Sequence, residues 1–483
     1  MEKNINSFKN QNIFFVGIKG TGMSGLADLC KSLGANVSGS DVSEKFYTDE
    51  VLEKLNIPWV ASFDAKHLPA HTDLVIHSSA YKLEDNPQLI EAQKRGIKIV
   101  EYTKALGEFS NSFYSVGICG VHGKTTTTAL IGSLVQEASL KGSVFVGSAL
   151  PQFDNRSIYS GGWDFFVAET CEYKRHFLNF SPSGLILTSV EMDHLDYFKD
   201  LDDIYSAFIE YGLKLPDGGF VIYCLDNHGA TECAKKIKEQ AFLGGKKINL
   251  ISYGFNKDAD YAVSNYTLGD GKNSFRVEGI DCEFELFIPG KHLIENSLAA
   301  IALIFQICKE KNIPTNSILK NLAKGLASFK GSRRRSELIG TVNGITIIDD
   351  YAHHPSAIDV TLSGYKAFYP NKKIIVDFMS HTYSRTEGLL EEFASCFTNA
   401  DEVILNRIYA SAREVVGKIN GRTLFERCKN YHPAVYYYDD YMEALPFLLE
   451  HLKPGDLFIT MGAGDNWQLG RALFKALKEK QND

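Results

Sequence analysis

A glycine-rich loop carries the clearest chemical signal in the sequence. The apolar run FYSVGIC (113–119) leads into GVHGKTTTT (120–128), and the apolar stretch ALIGSLV follows. Glycines after a strand let backbone amides surround the β- and γ-phosphates of a nucleotide, a lysine neutralises their charge, and a threonine hydroxyl binds Mg²⁺. Lys124 and Thr125 suit these two roles. This phosphate loop, residues 120–126, is shorter than the usual G-x-x-x-x-G-K-[ST] pattern, since Ile118 stands where that pattern begins.

Two downstream positions supply further ligands for a metal bound beside such a loop. Glu169 ends the apolar run FFVAE (165–169), and His194 lies in EMDHLD (191–196), after the apolar run GLILTSV. Sites in parallel sheets form where strands end at their carboxyl edge. Alone, a glutamate at a strand end is usually solvated and a lone histidine is usually structural. Downstream of a phosphate loop, the pair predicts metal ligands that act with Thr125.

A second glycine cluster, GIKGTGMSG (17–25), follows a strand and opens a helix, and residues 20–25 read G-x-G-x-x-G. This glycine turn presents free backbone amides and a positive helix end to a phosphate or diphosphate. Asp41 ends the next strand, where a dinucleotide fold places its ribose contact. From this stretch alone, a nicotinamide-dependent oxidoreductase is therefore an equally valid interpretation.

Four later segments place polar residues where a ligand is a plausible partner. In PGKHLIEN (289–296), His292 and Asn296 lie one helical turn apart, either as contacts to a nucleobase or as ordinary polar residues of a helix start. The run GSRRRSE (331–337) is either solvated or brings an arginine to transferring phosphate. DDYAHHP (349–355) and HTYSRT (381–386) each follow an apolar strand and favour contact with a ligand, including a bidentate arginine grip on a carboxylate.

Strand-like runs alternate with helical stretches along almost the whole chain, which predicts an α/β fold with parallel sheets covered by helices. Three such cycles occur, with boundaries near Ser112 and Gly331. The predicted domains are 1–111, 112–331 and 332–483, and residues 260–289 are predicted to form an antiparallel edge of the central one. The strands are predicted within 13–17, 35–41, 74–79, 113–120, 165–169, 184–190, 220–224, 344–351, 372–378, 402–406, 434–438 and 456–464.

Composition excludes several classes of protein. With 44% hydrophobic and 23% charged residues, the 483-residue chain has ordinary globular composition, and no run approaches the ~20 apolar residues of a membrane span. The polar stretch Met1–Asn12 has no apolar core of a signal peptide, so a cytoplasmic protein is expected. The nine cysteines form no C-x-x-C pair, which favours reduced thiols. A formal net charge of -8 disfavours nucleic acid as a partner.

Taken in order, ten segments resemble the Mur ligase family over essentially the whole chain. They are GIKGTGMSGLA, SSA (78–80), GVHGKTTTT, VAETCEY, VEMDHLD, PGKHLIEN, GSRRRSE, DDYAHHP, HTYSRT and TMGAGD (460–465). The resemblance implies a Rossmann-like domain that binds UDP, a P-loop ATPase-like central domain with a mostly parallel sheet, and a Rossmann-like C-terminal domain that closes over the reaction. ATP and Mg²⁺ are then the cofactors.

The resemblance also implies roles for individual residues. The UDP-sugar site comprises Gly20, Thr21, Gly22, Met23, Ser24, Asp41 and Ser78. The phosphates of ATP are bound by Gly120, Val121, His122, Gly123, Lys124, Thr125 and Thr126. Thr125, Glu169 and His194 hold metal, His292 and Asn296 contact adenine, and Arg335 and Asp350 reach ATP from the far side. The incoming amino acid is surrounded by Tyr351, His353, His381 and Arg385, with His353 or His381 as the general base.

Within the family, DDYAHHP and HTYSRT together favour the member that joins L-alanine to the lactyl carboxylate of UDP-N-acetylmuramate through an acyl phosphate. The member that reattaches a recycled murein peptide to the same sugar is the alternative. Later members rely on a carbamylated lysine, and DDIYSAFIEYG (202–212) contains no lysine. A monomer or weak homodimer is expected. The chain departs from the family pattern at Lys19, where an added phosphate contact is one expectation, and at Ser189, Leu293 and Arg407.

Overall fold

The computed structural model describes residues 8–193, 197–269, 271–410 and 417–482. Within these residues the strands form three sheets, of five, ten and six strands. The predicted α/β fold with three domains is confirmed, and each predicted strand is present with its ends shifted by up to three residues.

The N-terminal sheet is entirely parallel, in the order β3-β2-β1-β4-β5. Its strands are β1 Asn12–Val16, β2 Asn36–Ser40, β3 Trp59–Val60, β4 Leu74–His77 and β5 Lys98–Glu101. Val16 pairs with Ser40 on one side and with His77 on the other. The glycine turn, Asp41 and Ser78 therefore follow three neighbouring strands at one edge of the sheet.

The central sheet has the order β15-β14-β13-β12-β11-β10-β6-β9-β7-β8. Its strands are β6 Ser115–Cys119, β7 Gly142–Leu150, β8 Arg156–Ser160, β9 Phe165–Glu169, β10 Gly184–Leu187, β11 Phe220–Cys224, β12 Asn249–Gly254, β13 Tyr261–Gly269, β14 Lys272–Val277 and β15 Glu283–Leu286. β6 lies between β10 and β9 and is parallel to both, so the phosphate loop and Glu169 leave the same edge. β8 pairs antiparallel with β7.

The C-terminal sheet has the order β16-β17-β21-β18-β19-β20, and only the β16–β17 pair is antiparallel among the described strands. Its strands are β16 Glu337–Val342, β17 Ile345–Asp350, β18 Ile374–Met379, β19 Glu402–Leu405, β20 Val435–Tyr437 and β21 Leu457–Gly462. DDYAHHP and HTYSRT follow β17 and β18, which flank β21 at the centre of the sheet.

The helices connect successive strands of each sheet, as the alternating pattern predicts. They are α1 Thr21–Ser32, α2 Thr48–Lys54, α3 Pro87–Lys94, α4 Tyr102–Ser110, α5 Lys124–Glu137, α6 Leu201–Gly212, α7 His228–Leu243, α8 Lys291–Glu310, α9 Leu319–Ala327, α10 Pro355–Phe368, α11 Tyr383–Gly388, α12 Leu390–Ser395, α13 Gly421–Cys428, α14 Leu445–His451 and α15 Trp467–Asn482. α8 is long and apolar enough to cross a membrane, but 72% of its apolar window is buried inside the protein, as in a core helix.

The chain divides into two compact units. The first extends to Asn265 and includes Arg276–Phe284 and Glu295–Ser328. The second comprises Tyr266–Phe275, Glu285–Ile294 and the residues from Phe329 onward. The glycine turn, the phosphate loop and Glu169 all belong to the first unit, whereas Arg335, Asp350 and the candidate amino-acid site belong to the second.

Within the first unit, α1 packs against β7 and β8, so the N-terminal and central sheets share one core. Asp28 of α1 is only 1% exposed, and Arg156 of β8 donates to both of its carboxylate oxygens, over 2.6 and 2.7 Å. Burial raises the pKa of Asp28, although Arg156 opposes that rise. The ion pair therefore fixes the helix that begins at the glycine turn to the sheet that carries the phosphate loop.

We predict that Arg156→Met destabilises the protein by about 3 kcal/mol, because it leaves the Asp28 carboxylate buried without its counter-charge. The double variant Asp28→Ala, Arg156→Met is expected to recover part of this loss, since no unpaired charge remains. Urea unfolding of both single variants and the double variant at pH 7 measures the coupling. Strictly additive losses would contradict a coupled pair.

Candidate active site

Two residues that follow β10 hold the phosphate loop in place. The His122 amide donates to Ser189 Oγ over 2.9 Å, and Thr188 Oγ1 donates to the His122 carbonyl over 2.5 Å. Gly120 has φ of 134°, and a Cβ there would lie 2.8 Å from the Ser189 nitrogen. The residues after β10 therefore occupy the space that a side chain at Gly120 would need.

Gly123 has φ of 84° and caps the N-terminus of α5, so the loop amides and the helix end face the same side. A Cβ on Gly123 would lie 2.9 Å from Asn296 Oδ1, and that oxygen accepts a hydrogen bond from Thr127 Oγ1 over 3.2 Å. Asn296 is therefore a buried support of the phosphate loop in this structure.

Lys124 points back into its own loop. Its Nζ donates to the carbonyls of Gly120 and Val121, and it lies 3.0 Å from both carboxylate oxygens of Glu172. Burial disfavours the charged lysine, but the carboxylates of Glu172 and Glu169 outweigh burial and raise the pKa of Lys124. Sequence reasoning missed Glu172, although VAETCEY displays it three residues after Glu169.

Thr125 and Glu169 meet as predicted. Thr125 Oγ1 donates to Glu169 Oε1 over 3.0 Å, and the Gly147 amide donates to Glu169 Oε2 over 2.9 Å. A hydroxyl and a carboxylate are the hard oxygen ligands that Mg²⁺ prefers, and Mg²⁺ usually takes its other ligands from water and substrate phosphates. These two residues therefore fit the predicted metal. His194, the third predicted ligand, lies outside the described residues.

The glycine turn is ordered by Asp41. Asp41 Oδ2 accepts from the Lys19 amide over 2.6 Å, and Oδ1 accepts from the Val42 amide over 2.8 Å. Of the other predicted UDP-sugar residues, Gly20, Thr21 and Gly22 open α1 and Ser78 follows β4, all at the same edge. Met23 and Ser24 are buried, at 3% and 2% exposure; Met23 packs into the core, and Ser24 Oγ donates to the Thr21 carbonyl of the turn over 3.0 Å.

In this structure Lys19 is engaged by protein groups and not by a phosphate, and the phosphate contact stays an expectation. Its Nζ donates to the Glu44 carbonyl, lies 3.3 Å from Asp49 Oδ1, and is 4.4 Å from the ring centre of Trp59 and 5.0 Å from that of Phe46. Lys19 is 2% exposed. Its charge therefore stabilises the loop that follows Asp41.

In the second unit, the three consecutive arginines have different surroundings. Arg333 packs over Trp467, while Arg334, with φ of 58°, donates to Asp349 Oδ2 over 3.2 Å and to the Gly462 carbonyl over 2.6 Å. Arg335 is exposed and lies 5.5 Å from the ring centre of Tyr351. Arg335 is thus the most exposed of the three arginines, and its contact to ATP stays a prediction.

Asp350 is 7% exposed and is engaged by backbone groups. Its Oδ2 accepts from the Ser336 amide and its Oδ1 from the Ala352 amide, each over 2.8 Å. In this structure Asp350 therefore positions the arginine run and DDYAHHP, and its contact to ATP stays a prediction.

Tyr351, His353, His381 and Arg385, the predicted amino-acid residues, lie close together. The ring centres of Tyr351 and His353 are 5.0 Å apart, and those of His353 and His381 are 6.2 Å apart. Arg385 is near enough that its charge lowers the pKa of His353. Among the described residues, the buried Nη1 of Arg385 has no hydrogen-bond partner. A substrate carboxylate would supply one.

His353 is held in a single orientation. Its Nδ1 lies 2.8 Å from the Tyr351 carbonyl oxygen, which can only accept, so Nδ1 carries the proton and Nε2 keeps a lone pair. Burial is the main cause that lowers the pKa of His353 to about 4, and the charges of Arg385, His381 and Arg335 add to it. At neutral pH this imidazole is therefore uncharged.

His292 is exposed at the start of α8. In the second unit it lines a cavity of about 290 Å³ together with Leu268, Gly364 and Phe368. Asn296 Oδ1 accepts a hydrogen bond from Thr127 Oγ1, and the predicted adenine contacts of His292 and Asn296 stay predictions.

Comparison with known proteins accounts for all three sheets. Residues 12–114 match the Mur ligase family catalytic domain, 118–304 the Mur ligase middle domain, and 334–464 the Mur ligase glutamate ligase domain. The UDP-N-acetylmuramate–L-alanine ligase of Treponema pallidum (strain Nichols) is 48% identical over 97% of both chains.

The chain is a Mur ligase.

Further relatives support this assignment. The UDP-N-acetylmuramate–L-alanine ligase of Desulfitobacterium hafniense (strain Y51) is 40% identical over 96% of this chain and 99% of that protein. The crystal structure of UDP-N-acetylmuramate-alanine ligase MurC from Thermotoga maritima has a TM-score of 0.80 at 25% identity, covering 98% and 100% of the two chains. A murein peptide ligase from Psychrobacter arcticus shares the fold, with a TM-score of 0.64 at 23% identity over 97% and 99%.

The departures of this Mur ligase from the family pattern have local explanations. Ser189 holds the phosphate loop through its hydroxyl, and Leu293 is 4% exposed, so an apolar residue suits its position. Arg407 lies in the loop that leads to Tyr409, and its Nη1 is 3.9 Å from Asp440 Oδ2. The ring of Tyr409 stacks on His381. Arg407 therefore adjoins the candidate amino-acid site of the Mur ligase without lining it.

We predict different effects for two neighbouring arginines of this Mur ligase. Arg335→Met should lower kcat by about a hundredfold and leave unfolding unchanged, because an exposed guanidinium that meets transition-state charge is removed. Arg334→Met should lower the free energy of unfolding by about 3 kcal/mol, because Asp349 is left buried and unpaired. Steady-state kinetics and urea unfolding of both variants separate the roles. The reverse assignment of the two effects would contradict the prediction.

A second prediction concerns pH. Burial lowers the pKa of His353 to about 4, so between about pH 6.5 and 4 the unfolded chain binds a proton that the folded protein does not. The wild-type protein should therefore lose stability relative to His353→Gln as pH falls through this window, by about 1–2 kcal/mol after allowance for solvent screening. Urea unfolding of both proteins between pH 7 and 4.5 measures the difference. Parallel curves would mean that His353 titrates normally.

Proposed function

We propose that this Mur ligase joins L-alanine to the lactyl carboxylate of UDP-N-acetylmuramate, with cleavage of ATP to ADP and phosphate, as a cytoplasmic step in peptidoglycan precursor synthesis. The relatives from Treponema pallidum and Desulfitobacterium hafniense, which match nearly the whole chain, carry this activity in their names. One observation carries the mechanism. Lys124, Thr125 and Glu169 lie together at the ends of adjacent strands of the central sheet.

The first half-reaction activates the sugar-borne acid. A carboxylate is a poor acylating agent because oxide would have to leave, so its oxygen first attacks the γ-phosphorus of ATP and displaces ADP. Lys124 neutralises the β- and γ-phosphates, and Arg335 meets the charge that spreads over the transferring group. Thr125 and Glu169, with His194 as a further ligand, would hold Mg²⁺, and the ion would supply neutralisation of phosphate charge.

The second half-reaction forms the amide. The amine of L-alanine attacks the acyl phosphate carbon, and the tetrahedral intermediate expels phosphate. Arg385 fits the role of binding the alanine carboxylate, since its Nη1 is buried and open to an acceptor. His353 fits the general base better than His381 does, because its protonated Nδ1 is tied to the Tyr351 carbonyl and its Nε2 can accept. Its low pKa suits a proton from the acidic ammonium of the intermediate.

The remaining site assignments complete the proposal. The glycine turn, Asp41 and Ser78 bind the UDP-sugar, His292 and Asn296 contact adenine, and Asp350 reaches ATP together with Arg335. The proposed domains are 1–111, 112–331 and 332–483, and the proposed assembly is a monomer or weak homodimer. Neither a nucleic acid nor a membrane is a proposed partner.

We predict that the purified protein with Mg²⁺ and ATP releases ADP and phosphate only when UDP-N-acetylmuramate and L-alanine are both present, because the acyl phosphate must be aminolysed to turn over. Coupled phosphate and ADP assays, with the product mass measured in a mixture of amino acids, test this. Lys124→Ala should abolish turnover, while Lys141→Ala, which removes an exposed lysine of the same domain, should retain it. Release of AMP would contradict the mechanism, and near-normal turnover of Lys124→Ala would contradict the loop assignment.

A further inference from the structure

Tyr102, the first residue of α4, closes directly on the glycine turn. A Cβ on Gly22 would collide with the Tyr102 hydroxyl and would lie 2.5 Å from Tyr102 Cζ. Gly22 is the second glycine of the G-x-G-x-x-G turn. In such turns the second glycine lets the backbone approach the diphosphate of the ligand. In this structure the hydroxyl end of the Tyr102 side chain occupies part of that space.

The Tyr102 hydroxyl makes no hydrogen bond to any residue in the described part of the chain, although the side chain is mostly covered. Tyrosine hydroxyls in such positions usually find a partner. The neighbouring Tyr47 shows the contrast, since its hydroxyl donates to Thr21 Oγ1 over 2.8 Å. Tyr102 therefore presents an unused donor beside the backbone of the glycine turn.

The Tyr102 hydroxyl also lies near Glu169, which ends β9 beside the strand of the phosphate loop. Burial raises the pKa of Tyr102, and the nearby charges of Glu169 and Cys171 raise it further. The phenol therefore remains a donor at any working pH. α4 is fixed against the segment that follows β9, because Asn179 Nδ2 donates to Thr103 Oγ1 over 3.3 Å and the Asn179 carbonyl fills the space beside Gly107. Tyr102 is thus held between the glycine turn and the Glu169 side of the first unit.

We propose that the Tyr102 hydroxyl donates a hydrogen bond to the diphosphate of the nucleotide-sugar substrate, as a binding residue of the glycine-turn site. The inference rests on the proposed function, because it takes the glycine turn as the UDP-sugar site. The donor lies beside the second glycine of the turn, it has no acceptor among the residues that the structure describes, and it is near the Glu169 carboxylate. One side chain then fixes the distance between the two substrates at the point where the lactyl acid meets ATP.

The test compares wild-type protein with Tyr102→Phe, which removes only the hydroxyl, and with Tyr114→Phe, a half-buried tyrosine outside the site, as matched control. Calorimetric titration with UDP-N-acetylmuramate and with UDP, without ATP or Mg²⁺, gives the two affinities. Thermal unfolding reports on folding, and kinetics give KM and kcat. In Tyr102→Phe both affinities should fall by about tenfold to a hundredfold, as for loss of a hydrogen bond to a charged group. KM for the sugar should rise accordingly, with kcat and unfolding unchanged.

Three outcomes would overturn the proposal. Unchanged affinities in Tyr102→Phe would mean that the hydroxyl makes no contact with the ligand. Weaker binding of UDP-N-acetylmuramate with unchanged binding of UDP would place the hydroxyl away from the diphosphate. A fall in kcat with KM unchanged would assign the hydroxyl to the chemical step. Failure of the proposed function gives a different result, since the wild-type protein itself would then fail to bind UDP-N-acetylmuramate or to turn over with L-alanine.

Discussion

The positive charge of Lys124 must be balanced by a negative group wherever its side chain lies. Carboxylates of the first unit are placed to do this. In this structure Glu172 balances it at 3.0 Å, in a setting where an isolated ammonium ion would be strongly disfavoured. Nucleotide phosphates must compete with this carboxylate for the lysine. The exchange of one anion for another keeps the lysine charged throughout, so the loop is ready for phosphate without an unpaired buried cation at any stage.

The sequence contains the strands, the order of the motifs and most of the candidate residues, because those features depend on local pattern. Apolar runs that end in a glycine or a carboxylate predict which residues lie at the carboxyl edge of the sheet. Thr125 and Glu169 meet at that edge, as expected. The β7–β8 pair is not predicted, since the β8 sequence RSIYS carries little alternation of apolar and polar residues. The roles that local pattern leaves open depend on contacts between distant segments.

Three cases show this limit. VAETCEY contains two glutamates, and only the turn after β9, where Lys174 and Arg175 have φ of 51° and 56°, determines that Glu172 meets Lys124. The run RRR gives no reason to separate its members, yet Asp349 and the Gly462 carbonyl occupy Arg334 and leave Arg335 exposed. Tyr102 follows an unremarkable strand, and its role emerges only from its closeness to Gly22.

The burial of Lys19 between Phe46 and Trp59 has a consequence for how the sugar nucleotide is captured. Loops beside ligand sites often become ordered only when the ligand arrives, and the entropy lost then weakens association. Here an internal cation and its aromatic neighbours have already immobilised the segment after Asp41 during folding. This side of the proposed UDP-sugar site is therefore ordered before the ligand binds. More of the attraction between the protein and the diphosphate is then expressed as affinity.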